Sequence, residues 1–131
     1  MGRKKRKPFL LKEILITDTA FKGKSVAKYD GNVIFINGGV PGDLCDITVY
    51  KKKRKYWEAR IEKIINYSEK RDKPKCEHFG VCGGCKWQNM NYKSQLQFKQ
   101  KEVQNNLIKI GGINLKKINN IIGSQDQYYY R

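Results

Sequence analysis

Five short apolar runs occupy the first half of the chain, and the last two alternate between apolar and polar residues over most of their length. Such alternation places successive side chains on opposite faces of an extended strand and is typical of a strand with one buried face. The runs cover residues 11–17, 25–28, 32–36, 44–52 and 56–65, with Gly-, Asp- and Lys-rich turn signals between them. Because no run is long enough for a helix, residues 9–66 are predicted to form a small five-stranded barrel of the OB-like kind.

The alternation also assigns faces to the last two strands. The positions predicted to face the core are Cys45, Ile47, Val49, Trp57, Ala59 and Ile61. The positions predicted to face outward are Asp46, Thr48, Tyr50, Tyr56, Glu58 and Arg60. Since Cys45 shares its face with apolar residues, we interpret it as a small buried hydrophobe rather than as a metal ligand or a nucleophile.

The second half of the chain has a different pattern. Residues 67–91 show little strand or helix periodicity, whereas apolar residues recur at helical spacing from Tyr92 to Ile110, and Gly111-Gly112 is expected to end that helix. Residues 118–122 predict a short strand, and residues 128–131 predict the start of another. We therefore expect residues 92–131 to begin an α/β domain of a longer protein, so that the fold class is mainly β with a C-terminal α/β portion.

The composition of the chain indicates what kind of partner it binds. The chain has 28 Lys and Arg residues against 12 Asp and Glu residues, which gives a formal net charge of +16. A charge of this size indicates a polyanionic partner, most plausibly RNA or DNA. Residues 1–8 hold a basic arm, Arg3 to Lys7, that is expected to be disordered because a block of like charge cannot pack. No apolar run of transmembrane length and no signal peptide is present, so we expect a cytoplasmic monomer with reduced cysteines and no membrane contact.

A second basic run lies between the fourth and fifth predicted strands. Five consecutive cations, Lys51 to Lys55, precede Tyr56, which offers an aromatic face. Cations that contact phosphates and aromatic rings that stack on bases are what single-stranded nucleic acid requires. The predicted RNA-contacting residues are Lys22, Lys24, Lys51, Lys52, Lys53, Arg54, Lys55, Tyr56 and Arg60.

The cysteine motif carries the most specific chemistry. Cys76, Cys82 and Cys85 have the spacing C-x5-C-G-G-C, and the two glycines allow a tight backbone turn around a metal centre. In a reducing compartment such a cluster predicts a metal site, either iron–sulfur or zinc, and a fourth ligand must come from elsewhere. A Cys3His zinc site that includes His78 is the less favoured form of this prediction.

Together these segments resemble a known family. Residues 32–43 (NVIFINGGVPGD), Ser68 to Arg71, the cysteine motif through Gln88, residues 95–103 (QLQFKQKEV) and the final YYR resemble the N-terminal part of RNA uracil-5-methyltransferases that modify 23S ribosomal RNA. The barrel resembles a TRAM domain, which is an RNA-binding module. The motif from Cys76 to Gln88 resembles the [4Fe-4S] segment of the family.

The resemblance implies an enzyme of which this chain is only a part. It implies ribosomal RNA as the partner, a [4Fe-4S] cluster held by Cys76, Cys82 and Cys85, and a fourth cysteine ligand further along a longer chain. It also implies that the catalytic cysteine, the base and the S-adenosylmethionine pocket lie in a separate Rossmann-like domain, and no residue of this chain is predicted to be catalytic.

The sequence is also compatible with two other classes of protein. One is a free-standing RNA-binding barrel with a zinc knuckle, and the other is a radical enzyme of the methylthio-transfer kind, which is disfavoured because the cysteine spacing and the barrel position differ. Within the methyltransferases, transfer RNA is the alternative substrate.

Overall fold

The computed structural model describes residues 6–129. Arg3, Lys4 and Lys5 of the predicted basic arm lie outside this range, as do Tyr130 and Arg131. The chain forms two compact units, one up to Met90 and one from Asn91 onward. The assignment of residues 92–131 to a larger α/β domain stays a prediction.

The first unit contains the five predicted strands. Their bounds are β1 Phe9–Thr19, β2 Ser25–Tyr29, β3 Asn32–Asn37, β4 Leu44–Lys52 and β5 Trp57–Asn66. A short 3₁₀ turn, Phe21–Gly23, joins β1 to β2. The sequence predicted each strand with shifts at the ends, and β1 is longer than expected because it pairs with two neighbours.

The strands close into a barrel in the order β1-β2-β3-β5-β4. The first half of β1 pairs with β4, from Phe9 opposite Val49 to Leu15 opposite Leu44, and its second half pairs with β2. Strand β3 pairs with β5 in parallel, and the other pairs are antiparallel. This closure confirms the predicted OB-like barrel, and it leaves no unpaired strand edge within the sheet.

The barrel is held together by small and β-branched side chains that point inward. The core consists of Ile14, Ile16, Ala27, Ile34, Ile36, Cys45, Ile47, Val49 and Ala59, with Phe9, Leu11, Trp57, Ile61 and Ile64 packed against it. All six positions that were predicted to face the core do so. Trp57 lies at the margin of this core, edge-on to Phe9 with ring centroids 5.8 Å apart.

Residues 67–91 contain no helix and no strand, as the sequence predicted, apart from one isolated bridge between Arg71 and Met90. We call residues 67–90 the cysteine segment. Because few of its side chains are buried, its path depends on turns and polar contacts rather than on a core of its own.

The second unit begins with the predicted helix. Helix α1 runs over Tyr92–Asn105, and the Asn91 side chain caps it by accepting a hydrogen bond from the Ser94 N–H at 2.8 Å. One π turn, Asn106–Ile110, continues it, and Gly111 and Gly112 follow at its end as predicted. Gly112 has a φ of +64°, which a glycine adopts without strain.

The strand predicted over residues 118–122 is wrong. The structure shows no regular secondary structure there. The Ile121 N–H donates to Gln100 at 2.7 Å, and the Ser124 N–H donates to the Tyr92 hydroxyl at 2.8 Å. Tyr128 and Tyr129 also lie outside any strand.

Across residues 6–129, neither helix has the length and apolar character needed to cross a membrane.

Candidate nucleic-acid interface

Three aromatic rings form a cluster on the outside of the barrel. Phe35 projects outward from β3 because its neighbours Ile34 and Ile36 point inward. Its ring centroid lies 5.9 Å from that of Phe21 and 5.4 Å from that of Tyr56. Phe21 is 55% exposed, so part of this aromatic surface is open to solvent.

The three rings come from three different parts of the barrel. Phe21 lies in the turn between β1 and β2, Phe35 lies on β3, and Tyr56 lies in the β4–β5 loop. In OB-fold barrels the face of strands 2 and 3, together with these two loops, is the surface that binds oligonucleotides. We call the cluster of Phe21, Phe35 and Tyr56 the aromatic face.

The predicted cations do not all lie together. Lys24 and Lys51 approach the aromatic face, where both pair with Glu58, at Nζ–O distances of 3.3 and 3.4 Å. Glu58 is the direct β5 neighbour of Phe35 across the parallel pair, so this carboxylate lies beside the rings. Partial burial acts to raise the pKa of Glu58, but hydrogen bonds and charge from the two lysines outweigh it and lower the pKa. The carboxylate therefore holds both lysines in place and offsets part of their charge.

Lys52 faces a different surface from Lys51. Its ammonium lies 4.0 Å from the centre of the Trp57 ring and 4.9 Å from that of Phe9, which is cation–π geometry. A register shift between Val49 and Lys51 accompanies this arrangement at the end of β4. Lys52 is therefore engaged with aromatic rings at the margin of the core.

Lys53, Arg54 and Lys55 are the exposed part of the basic run. They form the tip of the β4–β5 turn, which the Lys53 N–H closes by donating to the Tyr56 carbonyl at 2.8 Å. Within residues 6–129 none of the three makes an ion pair or a cation–π contact. These cations, which we call the basic loop, are free to contact a polyanion next to Tyr56.

Two further predicted residues have other surroundings. Arg60 is exposed, and its Nε donates to Glu62 at 3.1 Å. The Glu62 carboxylate also accepts a hydrogen bond from Thr48, and the bonds from Thr48 and Arg60 lower its pKa. Lys22 lies in the turn after Phe21 with a φ of +58°, a left-handed conformation that non-glycine residues rarely adopt.

Sequence reasoning missed Phe21 and Phe35. Phe35 lies between Ile34 and Ile36 in β3, and both isoleucines point into the core. The alternation of the strand therefore predicts from the sequence that Phe35 points outward. Phe21 stands beside Lys22 in a turn, where a large apolar residue is not needed for packing. An aromatic residue on the polar side of a strand, or in a basic turn, is the signal that identifies such a position.

Cys45 is a core residue, as predicted. It is fully buried, and its thiol lies 3.6 Å from the carbonyl oxygen of Ile14. Burial, reinforced by the charges of Asp43 and Asp46 and partly opposed by Arg71, raises the pKa of this thiol from 9.0 to about 11. A neutral buried thiol is neither a nucleophile nor a ready metal ligand.

Cys76, Cys82 and Cys85 are all exposed free thiols in the cysteine segment. Gln88, the last residue of the motif, accepts a hydrogen bond from the Cys76 N–H at 3.1 Å, which joins the two ends of the motif. Gly83 has a φ of +77°, so the turn between Cys82 and Cys85 depends on glycine.

The three thiols suit an iron–sulfur cluster or zinc by the chemistry of their donor atoms. Among residues 6–129, however, no group of three or more His, Cys, Asp or Glu side chains is placed to hold a metal ion. The metal role of the three cysteines, and of His78, stays a prediction.

The base of the cysteine segment is fixed to the barrel by a buried carboxylate. Asp43, in the loop before β4, is fully buried and forms a paired contact with Arg71 at 2.7 and 2.8 Å. The same carboxylate accepts hydrogen bonds from the N–H groups of Val40 and Ser68, each at 2.8 Å. Ser68 and Arg71, which lie in a stretch that carries the family resemblance, join the cysteine segment to the barrel.

The five strands and the aromatic face define an OB-like barrel with exposed aromatic and basic residues on one side. Residues 5–61 match the TRAM domain model, so the barrel is similar to TRAM domains.

The chain is also similar to curated proteins over most of its length. The chain is 46% identical over 112 residues to an uncharacterized RNA methyltransferase of Bacteroides thetaiotaomicron, which is 86% of this chain and 25% of that protein. It is 40% identical over 116 residues to a protein of the same description from Porphyromonas gingivalis, which is 88% of the chain and 25% of the relative. It is 32% identical over 122 residues to the 23S rRNA (uracil(1939)-C(5))-methyltransferase RlmD of Alkalilimnicola ehrlichii, with coverage of 90% and 27%. These matches confirm the resemblance to RNA methyltransferases, and the chain spans about a quarter of the length of these relatives.

Proposed function

We propose that this chain is the RNA-binding part of an S-adenosylmethionine-dependent 23S rRNA uracil-5-methyltransferase that works in the cytoplasm. The observation that carries the proposal is the aromatic face of a TRAM domain, bordered by the basic loop. The similarity to proteins named RNA methyltransferases, some of them 23S rRNA uracil-C5 enzymes, supports the reaction class.

The surface provides both contacts that unpaired RNA requires. Bases can stack on Phe21, Phe35 and Tyr56, and each stacked base contributes about 1–3 kcal/mol by alanine substitution. The cations of the basic loop can neutralise phosphates beside those bases, which adds affinity without reading the sequence.

The proposed reaction explains why RNA binding is needed. Carbon 5 of uracil is a weak nucleophile until a thiolate adds to carbon 6, after which carbon 5 can accept a methyl group. A base then removes the carbon-5 proton while the thiolate leaves carbon 6, which restores the double bond and frees the enzyme. The target uridine must leave its stack to reach such a site. A barrel that holds neighbouring unpaired nucleotides stabilises the opened RNA. S-adenosylmethionine supplies the methyl group, and no residue of this chain is assigned to that step.

We further propose that Cys76, Cys82 and Cys85 hold an iron–sulfur cluster in the longer enzyme. Three thiolates on one exposed loop, with a glycine turn between two of them, support this assignment. A zinc site on the same cysteines is the alternative. Metal, iron and sulfide analysis of anaerobically prepared full-length protein distinguishes the two.

RNA binding by the aromatic face is tested with Phe35→Leu, which keeps an apolar side chain but removes the ring. We expect the affinity of the chain for a single-stranded RNA of about 12 nucleotides to fall by about 1–3 kcal/mol, with little change in its salt dependence. The matched control is Tyr67→Leu, since Tyr67 is 70% exposed but lies in the cysteine segment. Equal affinities for the wild type and both variants would show that the aromatic face does not bind RNA.

The proposed reaction and its RNA substrate are tested with the full-length enzyme. The full-length protein, incubated with S-adenosylmethionine and unmodified 23S rRNA, is expected to form 5-methyluridine in that RNA. Methylation of transfer RNA instead would show that transfer RNA is the substrate. If neither RNA is methylated, the alternative of an RNA-binding barrel with a zinc knuckle is favoured.

A further inference from the structure

A basic depression lies next to the aromatic face. It has a volume of about 520 Å³ and is lined by Lys22, Gly23, Lys24, Asn37, Gly38 and Lys86. Five of these residues belong to the barrel, whereas Lys86 belongs to the cysteine segment and directly follows Cys85. The depression is therefore built jointly by two parts of the first unit.

A glycine makes the close contact between these two parts feasible. Gly23 has a φ of +69°, and a Cβ atom built on it would lie 2.3 Å from the Cβ of Lys86. Any side chain at position 23 would push Lys86 away, so the position of this lysine depends on Gly23. The contact holds Lys86 beside Lys22 and Lys24.

The charges around the depression are not balanced. Lys24 shares Glu58 with Lys51, as described above. Neither Lys22 nor Lys86 makes an ion pair with a carboxylate in the part of the chain that the structure describes. Two unpaired ammonium groups at the edge of a concave site favour a bound anion.

The depression continues the aromatic face. Lys22 is the residue after Phe21, and Asn37 lies two positions after Phe35 on β3, so its side chain points to the same side of the sheet. The Asn37 side chain donates to the Tyr50 hydroxyl at 3.0 Å, which keeps this part of the surface polar. An RNA strand that stacks on Phe21 and Phe35 would carry its adjoining backbone past the three lysines.

We propose that the depression is a binding site for an RNA phosphodiester, formed by Lys22 and Lys24 of the barrel and Lys86 of the cysteine segment. The proposal rests on the proposed RNA binding by the aromatic face and adds one contact from outside the TRAM domain. It gives the cysteine segment a direct part in RNA affinity, because Lys86 of that segment lines the depression.

The first test compares Lys86→Ala with Lys73→Ala, which removes the same charge from an exposed position of the same segment. For the single-stranded RNA, loss of one phosphate contact should reduce the slope of log affinity against log salt by about 0.7 and lower affinity about fivefold at 0.1 M salt. Lys73→Ala should leave both quantities close to wild type. Equal effects of the two variants would overturn the proposal.

The second test keeps the charge and moves the lysine. Gly23→Ala should weaken RNA binding as much as Lys86→Ala does, and adding Lys86→Ala to it should cost nothing further. The matched control is Gly31→Ala, because Gly31 has a similar φ of +73° but no atom within 4 Å of its Cβ position. If the effects of Gly23→Ala and Lys86→Ala simply add, the two residues do not form one site.

The third test identifies the phosphate. Replacing single phosphodiesters of the RNA by neutral methylphosphonates should weaken binding to the wild type at one position and leave binding to Lys86→Ala unchanged at that position. Persistence of every methylphosphonate effect in the variant would contradict the site while leaving RNA binding by the aromatic face intact. If the wild-type chain binds no RNA at all, the proposed function fails together with this inference.

Discussion

The barrel and the cysteine segment differ in what determines their structure. In the barrel, a closed sheet buries a continuous set of aliphatic side chains, and its cysteine, Cys45, is fully buried. In the cysteine segment the three cysteines are exposed, and Val81, which precedes Cys82, is 89% exposed. Apolar burial therefore specifies the first region, whereas polar contacts at its base and a glycine contact at Lys86 position the second.

The difference also separates two kinds of cysteine within one short chain. Cys45 and the motif cysteines have the same side chain, but only the exposed ones are accessible to a metal or an oxidant. The chemical role open to a cysteine thus depends on whether its thiol is buried. The alternation of apolar and polar residues in β4 is enough to place Cys45 in the core, because Ile47 and Val49 share its face.

The largest effect is expected where the two regions join. Asp43→Ala leaves Arg71 without its partner and the N–H groups of Val40 and Ser68 without an acceptor, so the free energy of unfolding should fall by about 3–5 kcal/mol. The control is Asp46→Ala, since Asp46 accepts one hydrogen bond, from the Glu13 N–H at 3.0 Å, and is only partly buried. Urea titrations followed by tryptophan fluorescence measure both, and similar losses in the two variants would show that the buried pair does not anchor the segment.

A valine pair tests the contrast in burial directly. Val49→Ala removes two methyl groups from the barrel core and should lower the free energy of unfolding by about 2 kcal/mol, since each buried methylene is worth about 0.8 kcal/mol and a cavity adds to it. Val81→Ala makes the same chemical change in the cysteine segment, where it should alter stability by less than about 0.5 kcal/mol. A comparable cost at Val81 would mean that the segment has an apolar core of its own.

The last expected effect concerns pH, and it develops only in the alkaline range. Because the pKa of Cys45 is raised from 9.0 to about 11 in the folded barrel, the neutral thiol stabilises the fold fully below pH 9, and this contribution is lost as pH rises towards 11. The difference in unfolding free energy between the wild type and Cys45→Ala should therefore shrink or reverse between pH 9 and 11. A difference that is constant over this range would show that the thiol titrates normally.

Sequence reasoning predicted the barrel because burial on one face leaves a period of two in the strands. It could not predict where that period breaks. Glu13 adopts a φ of +54° at an irregularity of β1, and the shift between Val49 and Lys51 accompanies the separation of Lys51 and Lys52, one beside Glu58 and the other over Trp57. The five cations therefore looked like one surface in the sequence, although only Lys53, Arg54 and Lys55 lie together at the tip.

The error at residues 118–122 has a related cause. A short apolar run predicts a strand only if a neighbouring strand is present to accept its backbone groups, and sequence gives no information about that neighbour. In the structure the Ile121 N–H of this run donates to Gln100 of the helix, and just beyond the run the Ser124 N–H donates to Tyr92. The aromatic face was missed for a different reason, since Phe21 and Phe35 are far apart in sequence and only barrel closure brings them to Tyr56.

Backbone amide chemical-shift mapping during titration with a single-stranded RNA locates the binding surface in a single experiment. Amides of Phe21, Phe35, Tyr56 and the basic loop should show the largest changes, with a smaller change at Lys86. Amides on the outer side of β1 around Lys12 should change little. Changes centred on β1, or spread evenly over the barrel, would contradict RNA binding through the aromatic face.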